Sequence, residues 1–237
     1  MKKTIFSIAE ITVQVTHTYE YLSLLCADYL SKKDPEIEIV ISQEDIEAER
    51  VGPASLSQDG YLESLAFYRK FCEMVSNRGI FLFHCCALEV EGKAYLFTAN
   101  SGTGKSTHGR LWMEAFGEKV KVLNGDKPLI KQKNGKMYIF GTPFTGKERW
   151  GYNGSAPIAG VCFIRRSEKN SIERITSTQG MIKAYSQTLI PSDPESASVI
   201  IKELTYLLES VPLYSLGCNI SLDAAKLSFT TMTGEKT

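Results

Sequence analysis

The segment LFTANSGTGKSTHGRLW, residues 96–112, places a glycine-rich loop between an apolar run and an amphipathic run. This pattern predicts a strand, a loop and a helix in that order, which is the setting of phosphate-binding loops. A polyphosphate needs several backbone N–H donors close to it. Glycines permit that approach, and the helix N-terminus adds partial positive charge. The segment therefore predicts a nucleotide-binding loop.

The loop fits the pattern GxxxxGK[ST] at all positions but the first. Gly104, Lys105 and Ser106 fill the last three, where the lysine reaches the outer phosphates and the hydroxyl coordinates Mg²⁺. The first glycine of the pattern falls on Ala99, and alanine disfavours positive φ. The alternative is a glycine-rich connection with a solvated lysine, but the strand–loop–helix context favours nucleotide binding. The predicted phosphate-binding residues are Ser101, Gly102, Thr103, Gly104, Lys105, Ser106 and Thr107.

Composition and charge exclude several classes of protein. The 237 residues are 43% apolar, which suits a packed globular core, and Lys+Arg and Asp+Glu both total 27. A chain without net charge has no global field to attract nucleic acid or acidic membranes, so we expect neither partner. No apolar run has the length of a membrane span or of a signal-peptide core. Six cysteines without CxxC spacing indicate reduced thiols and a cytoplasmic protein.

Apolar periodicity predicts regular elements along the chain, without an internal repeat or a long linker. The predicted strands are residues 4–15, 36–42, 80–90, 93–99, 120–126, 136–144, 155–166 and 211–216. The predicted helices are residues 19–30, 61–75, 107–116, 179–189 and 195–209, with a last one beginning near Asp223. We expect a single domain over residues 1–237. Residues 1–80 are a candidate N-terminal subdomain packed on a core, residues 81–237, that contains the loop.

Asp126 is the candidate metal ligand, in the stretch VLNGDKPLI at residues 122–130. A phosphate loop usually works with an acidic residue at the end of a neighbouring strand, because Mg²⁺ prefers oxygen ligands beside the phosphates. The alternative is a turn aspartate, since Asn-Gly-Asp-Lys-Pro favours turns. The nearby phosphate loop favours the metal role, so Ser106 and Asp126 are the predicted Mg²⁺ ligands.

Cationic side chains are candidates for contacts with a transferring phosphoryl group. The stretch TPFTGKERW, residues 142–150, supplies Thr145, Lys147 and Arg149. Arg149 is the strongest of these, because a guanidinium binds phosphate bidentately. For Lys147 a solvated surface loop is an equal alternative. Arg165 and Arg166 end a predicted strand, where arginines are usually solvated, and one of them is a candidate to approach the site.

Four segments together resemble the HPr kinase/phosphorylase-like proteins, which share the phosphoenolpyruvate carboxykinase type of nucleotide-binding fold. They are residues 84–108, 122–130, 139–150 and 156–166. The resemblance is closest to the short HPr serine kinase-like homologues, and the separate N-terminal domain of the full enzyme is not recognisable. It implies a mixed β-sheet with flanking helices, ATP or another phosphoryl donor, and Mg²⁺-dependent transfer to a hydroxyl. Family members also tend to form homo-oligomers.

The resemblance implies roles for individual residues. Gly102, Gly104, Lys105 and Ser106 match the phosphate loop of the family, and Asp126 matches its acidic metal motif. His84 matches a histidine on the strand before the loop and is a candidate base. The alternative for His84 is a partly buried histidine that bridges the sheet to a backbone carbonyl. For His108, in the first helical turn, we expect contact with phosphates, and exposure to solvent is the alternative.

Gly125 marks a departure from the family, whose members often carry two adjacent acids where this chain has Gly125 and Asp126. Two carboxylates can divide metal binding from proton transfer, whereas a single one has to do both or recruit help. Glu148 and His84 are the candidates for that help. The predicted catalytic residues are Asp126, Lys105, His84 and Arg149.

These features predict a Mg²⁺-dependent phosphotransferase that moves a phosphoryl group from ATP, GTP or pyrophosphate to a hydroxyl. The acceptor is either a protein serine or a small molecule. The alternative is a nucleotide-binding regulatory module in which Gly125 has removed catalysis. Decarboxylation of the carboxykinase type would need a further metal-ligand set of His, Lys and Asp, which the sequence does not show.

Overall fold

The computed structural model describes residues 1–235 and has a mixed α/β fold, which confirms the predicted fold class. The strands are β1 (Lys2–Ile8), β2 (Ile11–His17), β3 (Ile37–Val40), β4 (Phe81–Leu82), β5 (Cys86–Val90), β6 (Lys93–Thr98), β7 (Lys121–Asn124), β8 (Leu129–Lys133), β9 (Lys136–Phe140), β10 (Ser155–Arg166), β11 (Ser171–Arg174) and β12 (Leu213–Cys218). The α-helices are α1 (Glu20–Leu25), α2 (Gln43–Ala48), α3 (Asp59–Ser76), α4 (Lys105–Phe116), α5 (Ser177–Tyr185), α6 (Pro194–Ser210) and α7 (Leu222–Thr233).

The strands form two sheets. The smaller has the order β1-β2-β3, with β1 antiparallel and β3 parallel to β2. The larger has the order β4-β8-β9-β10-β6-β5-β7, and β12 joins it through β10 and carries β11. In the larger sheet β10 pairs in parallel with β6 and β12, while the other pairs are antiparallel.

The larger sheet is covered by helices on both faces. Leu96 and Phe97 of β6 are both fully buried but belong to different apolar clusters, because successive residues of a strand face opposite sides. Side chains of α5 and α6 pack in the cluster of Leu96. Trp112 of α4 and Phe229 of α7 pack in the cluster of Phe97. The glycine loop therefore leads from a strand buried on both faces.

The apolar cluster of the small sheet extends beyond residue 80. Leu129, Phe140 and Phe144 belong to it, and the ring of Phe144 stacks on Tyr68 of α3 at a centroid distance of 3.9 Å. Side chains from the second part of the chain thus complete the core around β1–β3 and α3. The separation of residues 1–80 as a subdomain stays a prediction.

Two of the predicted strands are interrupted. Residues 4–15 form the hairpin β1–β2, because Ala9 and Glu10 adopt φ of 50° and 64°, as in the tight turns that join antiparallel strands. Residues 80–90 are divided into β4 and β5, and between them the His84 N–H donates to the Gln187 carbonyl at 2.7 Å. The sequence pattern also did not predict β8, β11 and α2, which are short. In contrast, β10 has the predicted bounds.

The six cysteines are free thiols, and five of them are buried. Cys85 and Cys86 belong to the clusters on opposite faces of the larger sheet, so they cannot jointly face one metal ion. None of the helices within residues 1–235 combines the length and the apolar character that crossing a membrane requires.

Candidate functional site

Strand direction brings the predicted site residues to one edge of the larger sheet. Both β6 and β7 are antiparallel to β5, so their C-terminal ends lie at the same edge. The glycine loop follows β6 there, and Asp126 follows β7. His84 lies at the same edge because it precedes β5, which runs in the opposite direction. Arg166 also ends at this edge, since β10 is parallel to β6.

The glycine loop presents backbone donors that have no partner in the part of the chain that the structure describes. Gly102 and Gly104 adopt φ of 76° and 125°, in the left-handed region that favours glycine. The N–H groups of Gly102 and of residues 104–107 donate to no acceptor within residues 1–235. Ala99 does not have positive φ, so the chain enters the loop without strain at the missing glycine. The loop and the start of α4 therefore offer five donors to an anion.

Two cationic side chains hold the carbonyl groups of the loop. The ammonium of Lys105 donates to the Ala99 carbonyl at 2.8 Å, and this lysine is only 7% exposed. The guanidinium of Arg166 donates to the carbonyls of Gly102 and Thr103 at 2.6 and 3.4 Å. Of the two strand-end arginines, Arg166 is thus the one at the loop. With these carbonyls already bonded, the amides remain for a ligand.

The charge of Lys105 is only partly compensated. Burial lowers the pKa of its ammonium, and the nearby carboxylate of Asp126 opposes that shift. A solvated lysine, the alternative considered for the loop, is therefore not what the structure contains. An anion bound to the loop would supply the missing countercharge.

Asp126 and His84 form a hydrogen-bonded pair, with 3.0 Å between Asp126 Oδ1 and His84 Nε2. Burial by itself raises the pKa of the Asp126 carboxyl, but the hydrogen bond from His84 and the charges of His84, Lys127 and Lys105 outweigh it, so that the pKa is lowered. The carboxylate therefore accepts, and His84 Nε2 carries the proton. The side chains are 27% and 29% exposed, so both are accessible.

The backbone around the pair is held on several sides. Asn124 Oδ1 accepts from the N–H groups of Asp126 and Lys127, both at 2.9 Å, which is the turn that the sequence suggested. The His84 carbonyl accepts from Thr98 Oγ1 at 2.8 Å. The ring of His84 bonds to a carboxylate instead of a backbone carbonyl, and Nδ1 has no hydrogen bond within residues 1–235. In the neutral imidazole this arrangement places the lone pair on Nδ1.

Gly125 occupies a position that has no room for a side chain. Its N–H donates to the Trp150 carbonyl at 2.9 Å. A Cβ atom added here would lie 2.9 Å from the Thr145 carbonyl oxygen and 3.3 Å from that of Trp150. The loop of residues 142–150 thus packs directly on this glycine. A second carboxylate beside Asp126 would not fit this arrangement of the loop.

We expect Gly125→Ala to lower the free energy of unfolding by about 1–3 kcal/mol, because the methyl group would force the loop at Thr145 away from the backbone. Urea unfolding of the variant and the parent protein would measure the change. Gly160→Ala is the matched control, since an added Cβ there meets no atom closer than 3.4 Å. An equally stable Gly125→Ala protein would contradict this account of the missing acid.

Arg149 is exposed and has a left-handed backbone, with φ of 54°. Its guanidinium makes no hydrogen bond or ion pair within residues 1–235. Lys147 in the same loop is also exposed, whereas Thr145 and Glu148 are half-buried. The structure does not join any of these side chains to the Asp126–His84 pair, so the predicted catalytic role of Arg149 stays a prediction.

His108 lines a cleft that adjoins the glycine loop, but the hydrogen bond of its ring goes to α7, so the expected contact with phosphates stays a prediction. Its ring is 2% exposed, and Nε2 lies 2.9 Å from Ser228 Oγ of α7. Burial lowers the pKa of the imidazole to about 4, so it is neutral at pH 7. His108 Nε2 is therefore engaged at the interface between α4 and α7.

A cleft of about 740 Å³ adjoins the loop. Gly102 and Thr107 line it beside apolar groups of Leu111 and Ile164, and residues 218–220 complete it. Its volume lies within the range of about 300–1,000 Å³ that is common for small-molecule sites. The cleft offers apolar walls next to the free amides.

The residues predicted as Mg²⁺ ligands offer oxygen donors, which is the chemistry that this ion prefers. Ser106 is the second residue of α4 and is half-buried, and Asp126 Oδ2 makes no hydrogen bond within residues 1–235. No group of three or more His, Cys, Asp or Glu side chains in that part of the chain is arranged to hold a metal ion. The donor set suits an ion that takes its remaining ligands from phosphate and water.

Comparison with known proteins gives a likeness in structure only. No protein-family model matches the chain, and no curated protein matches it in sequence. Among solved structures, the chain is similar to the Hpr(Ser) kinase/phosphatase from Coxiella burnetii. The two share 12% sequence identity and a TM-score of 0.38, over 65% of this chain and 88% of the other. At this level of similarity the likeness establishes neither a family nor a function. The family suggested by the sequence motifs stays a prediction.

Sequence reasoning did not identify the polar residues that connect the parts of the site. Gln187 Nε2 donates to Asn100 Oδ1 of the glycine loop at 3.1 Å, and the Gln187 carbonyl holds the N–H of His84. The sequence pattern predicted no role for Lys127, the residue after Asp126. No local sequence feature identifies Gln187, because Asn100 and His84 lie 87 and 103 residues earlier in the chain.

Proposed function

We propose that the protein is a Mg²⁺-dependent phosphotransferase that moves the terminal phosphoryl group of ATP to a hydroxyl. The observation that carries the proposal is the His84–Asp126 hydrogen bond at the sheet edge where the glycine loop leaves its amides unpaired. A base oriented by a carboxylate and a set of anion donors are the two parts that phosphoryl transfer to a hydroxyl requires.

The donor binds on the glycine loop in this proposal. The amides of Gly102 and residues 104–107 hold the phosphate chain, and Lys105 neutralises part of its charge. The nucleoside lies in the adjoining cleft against Leu111 and Ile164. A buried cation and free amides are more effective than solvated groups, since they need little reorganisation when the phosphoryl group becomes more negative.

The acceptor loses its proton to His84. Nε2 of His84 is engaged with Asp126, so Nδ1 is the atom that accepts the hydroxyl proton, and the carboxylate stabilises the resulting imidazolium. The acceptor oxygen forms a bond to the terminal phosphorus while the bond from that phosphorus to the bridging oxygen breaks, and ADP leaves with the electron pair. His84 thus performs the work of the second acid, for which Gly125 leaves no room.

Mg²⁺ would be held by the Ser106 hydroxyl and Asp126 Oδ2 together with phosphate oxygens. When bound, the ion supplies positive charge beside the phosphates. Asp126 can serve both partners because its two oxygens are separate: Oδ1 orients His84, and Oδ2 is free of hydrogen bonds within the described chain.

The direct experiment is incubation of the purified protein with Mg²⁺ and ATP, followed by measurement of ATP affinity and of phosphoryl transfer to hydroxyl metabolites and HPr-like proteins. GTP and pyrophosphate are tested as alternative donors. Binding together with transfer supports the proposal. Tight binding without turnover for any acceptor would instead support the regulatory module, and absence of binding for all donors would reject both.

We expect His84→Gln to lower the rate of transfer by about 100- to 10,000-fold, the usual contribution of a general base, while ATP affinity stays within twofold. Glutamine keeps a hydrogen-bond donor for Asp126 but has no basic nitrogen. Titration calorimetry would measure affinity, and product formation would measure the rate. The other two histidines, His17 and His108, are both buried, so neither offers a matched control and both are left unchanged. A variant that transfers at the parental rate would exclude His84 as the base.

A further inference from the structure

A second cavity, of about 380 Å³, lies beside the His84–Asp126 pair and is called the acceptor cavity here. His84 and Lys127 line one part of it, α3 lines another through Leu65 and Arg69, and residues 186–189 complete it. It shares no lining residue with the cleft at the glycine loop. The two cavities therefore provide separate places for two substrates, and His84 belongs to the second.

Charge distinguishes the acceptor cavity. Arg69 is paired with Glu49 at 2.5 Å, so these two charges compensate each other. Lys127 makes no hydrogen bond or ion pair through its ammonium within residues 1–235. The Lys127 backbone is fixed on both sides, since its N–H donates to Asn124 Oδ1 at 2.9 Å and its carbonyl accepts from the Tyr68 hydroxyl at 2.6 Å. The cavity thus has a firmly anchored, unpaired cation.

Gln187 adds a second unpaired polar group. It is 7% exposed, and its Oε1 atom is buried without a hydrogen-bond partner, although Nε2 is bonded to Asn100 and Ser186. A buried oxygen without a donor is unfavourable, so a ligand that donates to it would be stabilised. Residues 186–189 also pair with the backbone around His84, through the bridge between Phe83 and Thr188. One segment therefore lines the cavity and holds both the base and the glycine loop.

We propose that the acceptor cavity binds the phosphoryl acceptor, and that this acceptor is a small hydroxy acid whose carboxylate pairs with Lys127 while its hydroxyl faces His84. The inference rests on the proposed function and adds the class of the acceptor. A cavity of this volume is near the lower end of the range for small-molecule sites, and a cation without a partner next to the base selects an anionic ligand.

The reaction balances with ATP as co-reactant. The hydroxyl oxygen of the acid forms the new bond to phosphorus as the bond between that phosphorus and the bridging oxygen of ATP breaks. The hydroxyl proton passes to His84 Nδ1, and the products are a phosphorylated hydroxy acid and ADP. The carboxylate stays bound to Lys127 and takes no part in bond making.

The test compares glycerate and L-serine with glycerol and with a serine-containing peptide, using ³¹P NMR for the product and calorimetry for ATP. We expect the parent protein to phosphorylate at least one of the two acids, with kcat/KM at least 10-fold above that for glycerol. Lys127→Met should lower kcat/KM for that acid by about 10- to 100-fold, mainly through KM, because a charged hydrogen bond is lost. Its preference for acid over glycerol should disappear, and its ATP affinity should stay within twofold.

Three further variants make the result specific. Lys127→Arg keeps the charge and should restore most of the preference for the acid. Leu65→Trp fills the cavity from the half-buried face of α3 and should abolish transfer to the acid without changing ATP affinity. Lys121→Met is the matched control, because Lys121 is an exposed lysine on β7 outside the cavity, and it should behave like the parent.

The outcomes separate this inference from the proposed function. If the parent binds ATP but phosphorylates only the peptide, or glycerol as well as glycerate, or none of the four compounds, the hydroxy-acid acceptor is rejected and the nucleotide site stands. An unchanged Lys127→Met protein also rejects it. If the parent binds no nucleotide, the proposed function fails first.

Discussion

Asp126→Asn is expected to lower phosphoryl transfer by about 100- to 10,000-fold. The carboxylate at position 126 accepts from His84 Nε2, so in a neutral imidazole the lone pair lies on Nδ1, the atom proposed to take the acceptor's proton. An asparagine amide can donate as well as accept, so His84 can take the other tautomer, in which Nδ1 carries the proton and cannot accept another. The variant also loses an anionic oxygen for Mg²⁺. Both effects act in the same direction.

Rates at saturating ATP and acceptor would measure this effect, and Mg²⁺ titrations would separate its metal component. Asp193→Asn is the matched control, because Asp193 caps α6 through an exposed side chain and asparagine is an equally good cap. Thermal unfolding of both variants would show whether they remain folded. A folded Asp126→Asn protein with more than half of the parental rate would remove Asp126 from the mechanism.

Lys105→Met is expected to weaken ATP binding by about 10- to 100-fold and to slow transfer by a further factor of about 100 or more. The ammonium is buried, is bonded to the loop at Ala99, and is coupled in charge to Asp126. Methionine has a similar length and fills the same space without the charge, so the loop keeps its packing. The loss of the cation should raise the activation free energy of transfer, because negative charge develops on the transferring group in the transition state.

Calorimetry with ATP and single-turnover rates would separate the two effects. Lys93→Met is the control, since Lys93 is an exposed lysine at the start of the strand that leads into the loop. If Lys105→Met binds ATP as tightly as the parent while remaining folded, the glycine loop does not hold the phosphates and the donor site has to be sought elsewhere.

Much of the donor side of the site was predictable from local sequence. The order of apolar run, glycine loop and amphipathic run gave β6, the loop and α4, because each depends on residues close together in the chain. The turn that was considered as the alternative for Asp126 is also present, because Asn124 Oδ1 accepts from the amides of Asp126 and Lys127. Lys105 and Asp126 were named as candidates on these grounds, and the structure places them close enough for their charges to interact.

The acceptor side was decided by tertiary structure. His84 and Asp126 are 42 residues apart, and their bond depends on the order of β6, β5 and β7 in the sheet. The same holds for His108, whose ring bonds to Ser228 of α7, 120 residues later in the chain. Lys127 received no role from the sequence because only the packing of α3 and residues 186–189 around it forms the cavity.

The sequence by itself determined where unpaired backbone amides cluster, since a glycine loop and a helix N-terminus follow from consecutive residues. The tertiary structure decided which side chains meet beside these amides. The loop of residues 142–150 leaves no room for an acidic side chain at position 125, and the fold brings His84 to Asp126. The physical reason is the sequence distance between the groups that determine each property. Backbone conformation is governed by near neighbours in the chain, whereas burial, hydrogen-bond partners and pKa depend on groups that only the complete fold brings together.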